Sequence, residues 1–119
     1  MKRDMELVRK ILLAVEESEH GSVHGVQMEG YTAEQIGYHA HLMKEAGLIH
    51  AAVTTHLGSP SPEAMPTGLT SQGHDFLDAA RSDTVWNRAM KKIRESGGSI
   101  TFSALTALLK KLVEQQLGI

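Results

Sequence analysis

Cysteine is absent from the 119 residues. Its absence removes disulfide frameworks, thiolate zinc sites, thiol nucleophiles and iron–sulfur ligation together, and it fits a reducing, cytoplasmic setting. No stretch approaches about 18 consecutive apolar residues, so no membrane-spanning helix is expected. The start, Met1-Lys2-Arg3-Asp4, is charged and leads into no unbroken apolar run, so no signal peptide is visible. Catalytic signatures are missing too. There is no Gly-x-Ser-x-Gly turn, no phosphate-cradling glycine loop followed by lysine and no His-Glu-x-x-His, so neither enzymatic activity, nor a cofactor, nor a metal is expected. An excess of one charge is also lacking: 12 Lys and Arg against 14 Asp and Glu give a net charge of −2, which does not announce a nucleic-acid binder.

What is present describes an ordinary globular domain, with 41% apolar and 22% charged residues. Met5, Val8, Ile11, Leu12 and Val15 recur at helical spacing and predict an amphipathic helix from Asp4 to Ser18, with Asp4 on its first amides and Gly21 as its stop. Val23 to Met28 reads as a short strand. Thr32 followed by Gln35 has the form of a capping box, so a second helix should begin at Ala33. It would turn Ile36, His39, Ala40 and Met43 inward and Glu34, Tyr38, His41 and Glu45 outward, and end at Gly47. Leu48 to Leu57 reads as a strand. Gly58 to Gly68 holds all three prolines and reads as a loop, with a partner strand from Met65 to Leu69 at its far side. Thr70 or Ser71 should cap a helix carrying Phe76, Leu77 and Ala80. Asp83 should cap the next, carrying Val85, Trp86, Ala89, Met90 and Ile93. A last helix runs from Phe102 to Leu117.

Helix, strand, helix, strand, proline-rich loop, strand, helix is the order of a winged helix-turn-helix with appended C-terminal helices: mainly α with a small β wing, the α+β class. Residues 1–83 would form the winged-helix-like domain, and 84–119 a helical extension packed on it. Tyr38-His39-Ala40-His41-Leu42-Met43-Lys44-Glu45-Ala46-Gly47-Leu48-Ile49 resembles the recognition-helix end of winged-helix regulators, and Leu69-Thr70-Ser71-Gln72-Gly73-His74-Asp75-Phe76-Leu77 resembles their second wing strand entering a helix. From Met1-Lys2-Arg3-Asp4-Met5 through Phe76-Leu77-Asp78-Ala79-Ala80-Arg81 and Asp83-Thr84-Val85-Trp86-Asn87 into the last helix, the chain resembles a small bacterial and phage family of unknown function. That resemblance implies a winged-helix-like fold. Little room is left before Ala33 for the separate second helix of an ordinary helix-turn-helix.

DNA affinity comes mainly from cations that neutralise phosphates. The helix from Ala33 would approach the major groove through Gln35, Tyr38, His41 and Lys44, yet it also shows Glu34 and Glu45. Gln35 is better explained as the capping partner. Lys2, Arg3 and the C-terminal cations, Lys91 and Lys92 among them, would hold phosphates. The bland alternative for these cations is a solvated helix face with Lys and Arg near helix ends, where they favour the macrodipole. No Arg or Lys lies between Ile49 and Leu69, so this wing inserts no arginine into a minor groove. Seven histidines invite a metal check, but Gly21 and Val23 interrupt the helical spacing of His20 and His24, and His39 reads as a hydrogen-bonded residue rather than a ligand. Leu105, Leu108, Leu109 and Leu112 form a stripe suited to the core or to a homodimer. Two functions follow as expectations: a small DNA-binding transcriptional regulator or accessory factor contacting double-stranded DNA, or a protein-interaction module, of adaptor or inhibitor type, that keeps the scaffold without binding DNA.

Overall fold

A computed structural model of the chain describes residues 1–18 and 28–119. Among these, five helices and one antiparallel pair of strands follow in the order α1 (Met5–Glu17), α2 (Ala33–Glu45), β1 (Ile49–Val53), β2 (Ala64–Leu69), α3 (Ser71–Ala80), α4 (Asp83–Glu95) and α5 (Phe102–Leu117). The architecture is therefore mainly helical with a small sheet, in the α+β class. Two compact units, Met1–His74 and Asp75–Ile119, divide inside α3, ahead of the boundary expected after residue 83. The expected helix stop at Gly21 and strand Val23–Met28 lie outside the described residues, apart from Met28, whose carbonyl accepts from the Tyr31 N–H at 3.1 Å.

In the N-terminal unit, Asp4 caps α1 by accepting from the amides of Glu6 at 2.9 Å and Leu7 at 3.3 Å. Leu7, Val8, Ile11, Leu12 and Val15 are buried along one side of α1. Side chains of this kind contribute about 1.5–3 kcal/mol each on burial. The capping box of α2 forms as its sequence predicts: Thr32 Oγ1 accepts from the Gln35 amide at 3.1 Å, and Gln35 Oε1 accepts from the Thr32 amide at 2.8 Å. His39, Ala40 and Met43 face inward, while Ile36 is only half-buried. Helix α1 packs on α2 and β2, and α2 packs on both strands. Gly47, at φ +77°, turns the chain from α2 into β1.

The hairpin departs from the expected strands. β1 stops at Val53 rather than Leu57, and β2 starts at Ala64, inside the stretch expected to be loop. The reason lies in the ladder. Ala51 pairs with Pro66 and His50 with Gly68, so Thr67 is an extra, bulged residue. The Thr54 amide donates to the Glu63 carbonyl at 3.0 Å, and antiparallel alternation then makes Ala51–Pro66 and Val53–Ala64 the pairs without mutual hydrogen bonds. Pro66 thus occupies a position where its missing N–H breaks no rung.

In the C-terminal unit α4 packs on α5. Val85, Trp86, Ala89, Met90 and Ile93 are buried on α4, as are Leu105, Leu109 and Leu112 on α5. The cap of α4 is Ser82, not Asp83. Ser82 has extended backbone angles and accepts from the Val85 amide at 3.3 Å. Asp83 is already helical and places its carboxylate in the first turn, where the dipole favours it. Before α3, Thr70 settles the choice of cap, its Oγ1 accepting from the Gly73 amide at 3.0 Å.

Candidate nucleic-acid interface

The capping box places Gln35 at the start of α2 and commits its amide oxygen to the Thr32 N–H. Bidentate reading of adenine needs that oxygen together with the amide nitrogen, so Gln35 could read a base only by giving up the cap. Tyr38 and His41 are half-buried, and their rings stack at 6.3 Å between centroids and 29° between planes. His41 Nε2 lies 3.3 Å from Glu45 Oε1, four residues on. Lys44 is exposed, but so are Glu34 and Glu45. Glu34 accepts from the Ser61 hydroxyl at 3.2 Å, latching the hairpin loop to the first turn of α2. Glu63, on that loop, lies so near Gly37 that a Cβ there would sit 3.1 Å from its own Cβ. One face of α2 is thus taken by the hairpin, and the solvent side is dominated by carboxylates.

His39 is 1% exposed and holds two parts of the unit together. Its Nε2 accepts from the Asp4 amide at 2.8 Å, which puts the ring proton on Nδ1, and Nδ1 donates to the Gln35 carbonyl at 2.8 Å. Both ring nitrogens are occupied, leaving no lone pair for a metal. Among the described residues no three His, Asp or Glu side chains gather in a way that could hold a metal ion.

The cations divide between the units. Lys2 and Arg3 are exposed just before α1, and the N-terminal unit as a whole has five cations against nine carboxylates. The C-terminal unit has seven cations against five carboxylates. Lys91 and Lys92 are exposed on α4 beside Arg88 and Arg94, and Lys110 and Lys111 are exposed on α5. Among the described residues none of these six has an ion-pair partner. Only Lys92 and Arg94 sit in the last turn of α4, and α5 has no base in its last turn. Macrodipole placement therefore accounts for two of the six and leaves the other four unexplained by it.

A family profile described as a hypothetical protein, DUF2513, matches residues 2–99. The chain belongs to the DUF2513 family. An uncharacterized protein of Haemophilus influenzae (strain ATCC 51907 / DSM 11121 / KW20 / Rd) is 34% identical over 119 residues, covering 98% of this chain and 99% of that protein. No solved structure matches the chain. No described helix of this DUF2513 protein is long and apolar enough to cross a membrane.

The leucine stripe of α5 divides in the structure. Leu105, Leu109 and Leu112 are at most 1% exposed within a single chain, so they are spent on its core and cannot also form a dimer face. Leu108 is half-buried and lines an open cleft of about 390 Å³ with Lys92, Ile93 and Ile100. What the spacing of residues did not reveal is the junction at Tyr31, whose hydroxyl donates to Asp4 Oδ2 at 3.3 Å. The one available signal was an aromatic residue directly before a capping box. Burial first, then the Asp4 carboxylate and the hydrogen bond to it, raise the Tyr31 phenol above the usual tyrosine range. A raised phenol favours the folded state at every pH below that range, and the contribution is lost as pH rises through the raised value. An ultraviolet phenolate titration of the DUF2513 protein should therefore show a late component, and Tyr31→Phe should remove it. A late component that survives the substitution would contradict its assignment to Tyr31.

Proposed function

We propose that this DUF2513 protein is a DNA-binding module and not an enzyme, acting in the cytoplasm as a transcriptional regulator or accessory factor. In this reading the N-terminal unit is a winged helix-turn-helix, with α2 as recognition helix and the β1–β2 hairpin as wing. Its support is the passage from a capped helix through Gly47 into an antiparallel hairpin that packs back on that helix. The observation that carries DNA binding is the set of six exposed cations on α4 and α5, none of them ion-paired among the described residues. Held on packed helices, they supply the sequence-independent phosphate contacts from which most affinity comes. Base reading then falls to Tyr38, His41 and Lys44 on α2, with Lys2 and Arg3 as further phosphate contacts. A two-fold homodimer would suit a pseudo-palindromic site.

The test is a fluorescence anisotropy titration on random double-stranded fragments over a range of salt. Replacing both Lys91 and Lys92 by Glu should weaken binding to every fragment and lower the slope of log K against log salt by roughly two units, about one per lost phosphate contact. An unaltered slope would eliminate these contacts. The acidic N-terminal unit favours a second reading, a protein-interaction module on the same scaffold. That reading requires essentially no affinity for any fragment at low salt.

A further inference from the structure

The open cleft of about 390 Å³ at the end of α4 lies within the C-terminal unit, and every residue lining it is described. Its volume is that of a small-molecule site. Ile93, buried, and Ile100 and Leu108, half-buried, give it an apolar lining. Lys92 and Glu95 line the same cleft with opposite charges, three residues apart on α4, where side chains are neighbours and such pairs form readily. Here they do not pair. Neither has an ion-pair partner among the described residues, and both are exposed. The turn that closes one side is fixed by its own backbone: the Ser96 amide donates to the Lys92 carbonyl at 3.1 Å and the Gly98 amide to the Ile93 carbonyl at 2.8 Å. Gly97 and Gly98, at φ +105° and +84°, carry the chain round. A wall already ordered adds little entropic cost to binding.

We propose that this cleft binds a free α-amino acid with an apolar side chain, of the leucine class. The two charges decide the ligand. Its carboxylate meets Lys92, its ammonium meets Glu95, and its side chain lies on Ile93, Ile100 and Leu108. The Ser96 and Ser99 hydroxyls, also on the cleft, can donate to the first group and accept from the second. An apolar acid would set its carboxylate beside Glu95 with no cation of its own, and an apolar amine would meet Lys92 in the same way. A peptide terminus likewise brings only one of the two charges next to its side chain. Because both protein charges stand in water, the dissociation constant is expected at roughly 1 mM. This site needs no DNA and stands whether or not the chain binds it.

Two-dimensional amide NMR of the full chain, titrated with L-leucine, should show saturable shifts at Ser96, Gly97, Gly98 and Ser99 with half-saturation near that concentration. Leucinamide, which lacks the carboxylate, 4-methylpentanoate, which lacks the ammonium, and glycine, which lacks the side chain, should each bind about fivefold or more weakly. Lys92→Met, which keeps the apolar stem, and Glu95→Gln should weaken leucine by a similar factor. Both positions are exposed, so the fold is kept, and unchanged amide shifts away from the cleft verify it. No saturable shift with leucine, either singly charged analogue binding as tightly as leucine, or wild-type affinity in both variants would each overturn the proposal.

Discussion

Gly73→Ala is expected to destabilise the N-terminal unit by about 3 kcal/mol or more, the cost of forcing an atom into a site that cannot yield. The expectation runs against the local rule, because alanine in a helix interior is ordinarily better than glycine by roughly 1 kcal/mol. Gly73 is buried in the first turn of α3. A methyl group there would overlap the Leu48 carbonyl oxygen, which is backbone and already accepts from the Thr70 amide at 3.2 Å. Thr70 is held in turn, its hydroxyl donating to the Gly47 carbonyl at 2.5 Å and accepting from the Gly73 amide at 3.0 Å. Neither partner can retreat without losing hydrogen bonds. Gly68→Ala is the matched control, since a Cβ there meets nothing within 4 Å, and its stability should stay within about 0.5 kcal/mol of the wild type. Thermal and urea unfolding followed by circular dichroism would compare the two. Equal midpoints for both variants would refute the close approach of α3 to the Leu48 carbonyl.

His39→Leu should cost about 2–4 kcal/mol, although leucine is apolar and close in size. The imidazole accepts one hydrogen bond and donates another across a junction between residues far apart in sequence, Asp4 and Gln35. Leucine makes neither, so the Asp4 N–H loses its partner at a part-buried site, at about 1–3 kcal/mol for a buried group, while the Gln35 carbonyl keeps its helical bond from the His39 amide. The loss should spread, because the Asp4 carboxylate also caps α1 and receives the Tyr31 hydroxyl. A fall in the thermal midpoint of roughly 10 °C is expected for a chain of this length. His39→Gln, which can still accept and donate, should recover part of it. If the leucine variant unfolds at the wild-type temperature, the ring does not bridge α1 and α2.

Helix positions could be read directly because they depend on local patterns. The spacing of Met5, Val8, Ile11, Leu12 and Val15, and the Thr32–Gln35 cap, involve residues within a few turns of each other, and both form as expected. The strand limits could not be read this way. β1 and β2 end where their pairing ends, and Pro66 is admitted to a strand only because it sits opposite Ala51 at a position without a rung. The α4 cap was misread by one residue because Ser82 and Asp83 are both good capping residues. Only the backbone shows that Ser82 is extended and Asp83 already helical.

The candidate interface divides in the same way. The order of charges along the chain showed an acidic centre and a cationic tail. That α2 lends one face to the hairpin, and that six cations on α4 and α5 stand without ion pairs among the described residues, depended on side chains brought together by packing.

By itself, then, the sequence determined the helices, the caps of α1 and α2 and the charge, because each arises from residues within a turn or two of one another or from composition. Tertiary structure alone decided which leucines are spent on the core, which glycine admits no side chain and where the buried histidine finds the Asp4 amide. Each of these is a contact or a vacancy between segments distant along the chain, and no local pattern encodes a distance across the fold.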